Sequence, residues 1–144
     1  MKANYTFQIS GVLKQEECLE TATKVNELRD YWIQRDQFGL YTLGAAAYLD
    51  APDQKTMKYL GQPEIDPIQY YEKAKKLNQI LTENFGWLYH KLSIVLSEQL
   101  ESNVRLYPNV GCPGFHIFLP SPEYAFSTSH IPHFDRQFTN LNWN

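Results

Sequence analysis

The sequence predicts an α+β protein, in which a helical N-terminal region packs on a group of short β-strands. Apolar residues recur every three or four positions over residues 14–35 and 67–101, which is the helical period. Beyond them, short runs of β-forming residues alternate with proline and glycine turns. The 144 residues, 43% hydrophobic and 20% charged, suit one globular domain. We therefore expect a single domain, 1–144, with a mainly helical scaffold over 1–103 and strands over 104–144.

The first elements are predicted from apolar spacing. Tyr5, Phe7 and Ile9 alternate with polar residues, which indicates a short half-buried strand. A helix is then predicted over residues 14–35 from one apolar stripe: Cys18, Leu19, Ala22, Val25, Leu28 and Trp32. The next segment, 38–54, is "FGLYTLGAAAYLDAPDQ". Its small residues favour close packing against a neighbour, and the alternative is that its glycines let the backbone approach a ligand.

The second helix has a clear predicted start. Asp66 is a capping carboxylate, and Pro67 suits the first helical position. An apolar face then continues almost to Glu101: Ile68, Tyr71, Ala74, Leu77, Leu81, Phe85, Leu88, Leu92, Val95 and Leu100. Because this length is unusual, we expect a kink or break near residues 84–86. Lys73, Lys75 and Lys76 are interpreted as a solvated face, and His90 as a partly exposed helix residue.

The last third is predicted to contain three extended segments. They are "NVRLY" at residues 103–107, "GFHIF" at 114–118 and "HIPHFDRQF" at 130–138, with "LPSPEYAFSTS" at 119–129 as a loop. The glycines and prolines between the first two segments indicate a turn. The strands of the sheet are thus expected to follow the helical scaffold along the chain.

Composition excludes several classes of partner. The net charge is -3 and lysine and arginine do not cluster, which argues against nucleic acid. The first residues lack the apolar core of a signal peptide, and no apolar run approaches the ~20 residues of a membrane span. We expect a cytoplasmic protein. Cys18 and Cys112 lack CxxC spacing and are predicted to be free thiols.

A histidine and a carboxylate stand two residues apart near the end of the sequence. In an extended segment His133 and Asp135 would point to the same side. Such a pair provides two ligands of the 2-His-1-carboxylate site that binds Fe(II). Gln137 continues the same face, where it would be either a group beside the metal and its cofactor or a polar residue on a wet sheet face.

Two motifs in this region resemble those of a known family. "PGFHIF" at 113–118, followed after a loop by "HFDRQF" at 133–138, is similar to the first core strands of Fe(II)/2-oxoglutarate-dependent oxygenases. The resemblance covers roughly residue 41 to the end. It implies a double-stranded β-helix, or jelly-roll, core, with His133 and Asp135 as iron ligands and 2-oxoglutarate as cosubstrate. Enzymes of this family use both to activate dioxygen and oxidise a bound substrate.

The sequence also departs from the family pattern. That pattern continues with a distal histidine and a basic residue that pairs with 2-oxoglutarate, whereas "RQFTNLNWN" follows Asp135. His116 is the best candidate in this chain to complete the site or contact the cofactor, and His130 is another. The alternative for His116 is a core or pocket-lining histidine, and for His130 a loop residue.

The expected function is therefore a truncated or split oxygenase of the hydroxylase type, which contributes two of three iron ligands and shows little or no turnover alone. A second polypeptide or a second copy of the chain would complete the jelly-roll sheet. The substrate, a small molecule or a peptide, is left open. The alternative is a non-catalytic remnant or regulatory subunit that binds a partner chain through an open sheet edge. A metal-binding protein using His116, His133 and Asp135 is a third hypothesis.

Overall fold

A computed structural model describes residues 11–50, 67–107 and 110–125. The helices in these ranges are α1 (Gln15–Glu27), α2 (Ala47–Asp50), α3 (Pro67–Leu100) and α4 (Pro122–Ala125), with a 3₁₀ turn at Arg29–Tyr31. The strands are β1 (Ile33–Gln34), β2 (Leu40–Leu43) and β3 (Phe115–Phe118). Helices combined with a small antiparallel sheet confirm the α+β class. The predicted strand at 5–9 and the extended segment at 130–138 lie outside the described residues.

Helix α1 is shorter than the helix predicted over residues 14–35. It begins where the Glu17 carboxylate accepts the backbone N–H of Lys14 at 2.7 Å, and it ends at Glu27. The indole N–H of Trp32 donates to the carbonyl of Val25 at 3.0 Å, which satisfies an acceptor that the last turn leaves without a helical partner. The prediction was wrong beyond Glu27 because Trp32 folds back onto the helix instead of continuing it.

Residues 33–43 form a β-hairpin that the helical interpretation of this region missed. Ile33 pairs with Thr42 and Gln34 with Tyr41, antiparallel. The turn is organised by Asp36, whose Oδ1 accepts the backbone N–H groups of Phe38, Gly39 and Leu40 at 2.9, 3.0 and 2.9 Å. The scaffold before residue 103 therefore contributes two of the three strands of the described sheet.

Helix α3 is the central element of the described fold. Its single non-helical residue is Phe85, with φ -125° and ψ 17°, so the predicted break near residues 84–86 is confirmed. Buried side chains lie on both sides of this kink: Tyr70, Ala74, Leu77, Leu81, Phe85, Leu88 and Tyr89. The ends of the predicted apolar face were wrong, because Ile68 and Leu100 are 63% and 47% exposed.

Strand β3 joins the hairpin to the last described segment. It pairs antiparallel with β2, with Thr42 opposite His116 and Leu43 opposite Phe115, so the sheet order is β1-β2-β3. The Phe115 ring packs on Phe85 at 4.7 Å between centroids, which fixes the sheet over the kink. The predicted strand at 114–118 is thus confirmed.

Two smaller predictions in the last third were wrong. Residues 103–107 form no strand, and the Val104 backbone N–H instead donates to the Ser97 hydroxyl at 2.9 Å, which draws the chain back to the end of α3. The loop expected at 119–129 contains α4, whose Tyr124 hydroxyl donates to the Asp36 carboxylate. A nearby side chain thus overrides the β-propensity of residues 103–107. Helix α4 is held by a contact with the distant hairpin turn.

Backbone segments approach each other closely where β2 meets the start of β3. A Cβ at Gly114 would lie far inside van der Waals contact with the carbonyl oxygen of Leu43, and one at Gly111 would lie 2.5 Å from that of Ala45. Gly44 has φ +122°, a conformation that favours glycine. For the described part of the stretch, residues 38–50, the prediction of close packing is therefore confirmed, and the backbone of 111–114 is the neighbour.

Candidate functional site

A cavity of about 340 Å³ lies where these two segments meet. The first wall is residues 42–46, at the end of β2, and the second wall is residues 111–116, which lead into β3. The described lining residues are Thr42, Leu43, Gly44, Ala45, Ala46, Gly111, Cys112, Pro113, Gly114, Phe115 and His116. Within the glycine-containing stretch, residues 42–46 thus pack closely against a neighbour and also border a space large enough for a small ligand.

The first wall is held by a buried cluster of charges, formed by Arg35, Asp50 and Lys73. Arg35 donates from Nη1 and Nη2 to the two carboxylate oxygens of Asp50 at 2.8 and 2.9 Å, in a bidentate pair. Lys73 of α3 donates to the same carboxylate at 2.6 Å. The side chains of Arg35 and Asp50 are only 9% and 6% exposed. The cluster therefore joins the hairpin to α2 through an Arg35–Asp50 pair that water hardly reaches, and joins both to α3 through Lys73, whose side chain is 36% exposed.

Two residues of the first wall bond directly to this cluster. The Thr42 hydroxyl accepts from Arg35 Nε at 2.8 Å, and the Ala46 backbone N–H donates to Asp50 at 2.8 Å. Burial by itself raises the pKa of Asp50, but the hydrogen bonds from Arg35 and Lys73 outweigh burial and hold that pKa below its usual value. Asp50 is therefore ionised at neutral pH.

The second wall is held by three neutral side chains of α3. The Asn78 amide donates to the carbonyl of Val110 and accepts the N–H of Cys112, both at 2.7 Å, as a paired backbone strand would. The Tyr70 hydroxyl accepts the N–H of Gly111 at 2.9 Å. The Tyr89 hydroxyl donates to the carbonyl of Pro113 at 2.6 Å, and burial raises the pKa of Tyr89. Four consecutive residues, 110–113, are thus bonded to one helix.

Of the residues predicted from sequence to form a site, the structure describes one. His116 lies on β3 opposite Thr42, is exposed, and lines the cavity, which agrees with a pocket-lining histidine. His133, Asp135, Gln137 and His130 lie outside the described residues. Within residues 11–50, 67–107 and 110–125, no three His, Cys, Asp or Glu side chains are grouped so that they could hold a metal ion.

The residues that build the cavity walls were missed by sequence reasoning. Lys73 was interpreted as part of a solvated face, but it pairs with Asp50 because α2 lies against α3. Asn78 and Tyr70 could have been identified only from a weak sequence feature. Each is a polar or amphipathic side chain beside the apolar stripe of the helix. Cys112 is buried and Cys18 exposed, and both are free thiols as predicted. His90 is an exposed helix residue, as interpreted.

Comparison with known proteins gives no relative for this chain. No protein-family model, no curated protein and no solved structure matches it. Among the described helices, none is both long and apolar enough to cross a bilayer.

Proposed function

We propose that this chain is an oxygenase-type protein of the Fe(II)/2-oxoglutarate-dependent kind, with a jelly-roll core to which it contributes the opening strands. His133 and Asp135 would be two of three iron ligands. The third ligand would come from a second chain or from another histidine of this chain, with His116 and His130 as the candidates. Iron and 2-oxoglutarate, when bound, would supply the oxidising chemistry, while the residues of the chain hold and orient them.

One observation carries the proposal beyond the motif itself. The "GFHIF" segment, which resembles a core strand of the family, forms β3 at Phe115–Phe118 and packs through Phe115 on the helical scaffold. The succession of α3 and then β3 supports the proposal, while β1 and β2, which precede α3, have no counterpart in the order expected from the resemblance. His116 of this strand lines the cavity, and we assign it to the cofactor pocket together with Gln137.

Metal binding by single variants tests the proposal. The full chain, freed of metal, is titrated anaerobically with Fe(II) in competition with a chromophoric chelator. We expect His133→Ala and Asp135→Ala each to weaken Fe(II) binding by about ten-fold or more, because each removes a ligand. If a second chain supplies the third ligand, addition of 2-oxoglutarate to this chain alone should produce no visible metal-to-ligand charge-transfer band.

His90→Ala is the matched control. It removes an exposed imidazole from α3, far along the chain from the motif, and should leave Fe(II) affinity unchanged. Equal affinities for the wild type, His133→Ala and Asp135→Ala would contradict the proposal. A clear charge-transfer band with succinate formation by this chain alone would show instead that the site is complete, and His116→Ala would then test the third ligand.

A further inference from the structure

Helix α4 is attached to the hairpin turn through the side chain of Tyr124. From this contact we infer that Tyr124 and Asp36 are positioning residues for the proposed iron site. They hold the start of the segment that carries His133 and Asp135 close to β3. The inference rests on the proposed function, because it concerns the motif assigned there.

The Tyr124–Asp36 contact joins two elements that are 88 residues apart. The Tyr124 hydroxyl donates to Oδ2 of Asp36, while Oδ1 accepts the three backbone N–H groups of the hairpin turn. A hydrogen bond to a carboxylate is roughly twice as strong as one between neutral groups. The same carboxylate therefore organises the turn and holds α4 on it.

Helix α4 depends on contacts outside itself. It has four residues, far fewer than a helix needs to be stable alone. The Tyr124 ring packs edge-on against Phe118 of β3, at 5.2 Å between centroids. Another polar contact of the helix is local, between Glu123 and Ser121. Tyr124 thus fixes α4 through both its hydroxyl and its ring.

The contact shortens the stretch of chain between the sheet and the motif. The Leu119 N–H donates to the carbonyl of Gly39 at 3.0 Å, which fixes the chain directly after β3. His133 follows Ala125, the end of α4, by eight residues but follows Leu119 by fourteen. The effective concentration of a tethered group falls roughly as the -3/2 power of the tether length. Release of α4 would therefore bring the motif to His116 of the proposed pocket about two-fold less often.

The ionisation of Asp36 reports whether the contact is formed. The hydrogen bond from Tyr124, followed by those from the turn N–H groups, holds the pKa of Asp36 below its usual value. Partial burial and the hydrogen bond to Asp36 raise the pKa of Tyr124 to about 12. The phenol is therefore protonated and the carboxylate ionised at neutral pH, which is the combination that the contact requires.

Fe(II) titration of Tyr124 variants tests the positioning role. The full chain, freed of metal, is titrated anaerobically in the presence of 2-oxoglutarate. Tyr124→Ala removes the hydroxyl and the ring, and it should weaken Fe(II) binding by about two-fold or more. Tyr124→Phe removes the hydroxyl alone and should cause a smaller loss in the same direction. Tyr31→Phe removes the hydroxyl of an exposed tyrosine and should leave the affinity unchanged.

A second control separates positioning from a general loss of stability. Lys91→Met breaks the ion pair with Glu17 that joins α1 to α3, and it alters neither α4 nor the hairpin turn. It should leave Fe(II) affinity unchanged. If Tyr124 were merely structural, its variants would behave as Lys91→Met does and lose stability without a change in Fe(II) affinity.

The contact itself is checked by NMR titration of the Asp36 carboxyl. In Tyr124→Phe the pKa of Asp36 should rise towards its usual value, because the largest cause of its depression is gone. Unchanged amide signals of Phe38 and Leu40 would show that the turn is intact. The inference is overturned if this pKa does not move, or if the Tyr124 variants bind Fe(II) as tightly as the wild type. If Tyr124→Ala does not fold, Tyr124→Phe decides.

The same titration distinguishes this inference from the proposal on which it rests. If His133→Ala and Asp135→Ala also bind Fe(II) as tightly as the wild type, the iron site and its positioning fall together. If these two variants lose affinity and the Tyr124 variants do not, the positioning role alone is wrong.

Discussion

The two walls of the cavity are attached to the same helix by opposite kinds of chemistry. Residues 42–46 are held through a buried ion cluster in which Asp50 bonds to Arg35 and Lys73. Residues 110–113 are held by the neutral side chains of α3, chiefly Asn78. The first wall should therefore be sensitive to pH and the second should not. Ionic contacts weaken in acid, whereas amide and hydroxyl contacts keep their strength across the ordinary pH range.

Removal of the Asp50 carboxylate, which holds the first wall, should cause the largest loss of stability. Asp50→Ala leaves the Arg35 guanidinium buried without its counter-charge and the Ala46 N–H without its acceptor. We expect the free energy of unfolding to fall by about 3–5 kcal/mol, measured by urea denaturation.

Glu27→Gln is the control for this prediction, because Glu27 pairs with Lys24 on the exposed surface of α1. That change should cost less than about 1 kcal/mol. If the two variants lose similar amounts, the buried cluster does not hold the first wall.

The corresponding change in the second wall is Asn78→Ala, with a smaller expected effect. It leaves the carbonyl of Val110 and the N–H of Cys112 without their partner, but no charged group loses its counter-charge. We expect a loss of about 2–3 kcal/mol in the same denaturation experiment. Asn84→Ala is the control, since the Asn84 side chain bonds only locally, to the carbonyl of Ile80, and should cost less than about 1 kcal/mol. Equal losses would mean that the paired contact adds nothing.

The change in stability as the pH falls should also distinguish the two walls, with the smallest expected effect. The pKa of Asp50 is lower in the folded than in the unfolded chain, so between the two values the unfolded state binds more protons. The stability that Asp50 contributes is therefore complete above the unfolded pKa of about 3.9 and is lost as the pH falls through the folded pKa. Protonation removes the charge but keeps the side chain, so the loss should be smaller than in Asp50→Ala.

Measurement of this response needs a reference that lacks the titrating group. Unfolding free energies are compared from pH 6 to pH 3 for the wild type, Asp50→Asn and Asn78→Ala. The wild type and Asn78→Ala should lose stability in parallel, and Asp50→Asn should lose less. An identical slope for Asp50→Asn would show that other carboxylates control the acid response.

The sequence was sufficient for the elements whose signal is local and periodic. Helix α3 and strand β3 were predicted because apolar spacing and β-forming residues there agree with the final packing, and the kink at Phe85 was predicted from the unusual length of the helix. The β1–β2 hairpin was missed because its short strands follow α1 directly and Trp32 continues the apolar period of that helix. Apolar spacing alone cannot show that a residue such as Trp32 bonds back to the helix before it.

The candidate site was less predictable than the fold. Of the predicted site residues, His116 is the one that the structure describes; it lines the cavity, and it was identified through a motif. Asp50 and Lys73 are 23 residues apart, and each has an ordinary surface interpretation on its own. Their pairing follows from the docking of α2 on α3, which depends on long-range packing and not on the spacing of either residue. His133, Asp135 and Gln137 remain predictions.

The segment 110–113 bonds to α3 on both sides of the kink at Phe85. Asn78 holds residues 110 and 112 from one side of Phe85, and Tyr89 holds residue 113 from the other side. The segment 110–113 thus bridges the bend of the helix. The bend of α3 and one wall of the cavity are therefore held by the same hydrogen bonds.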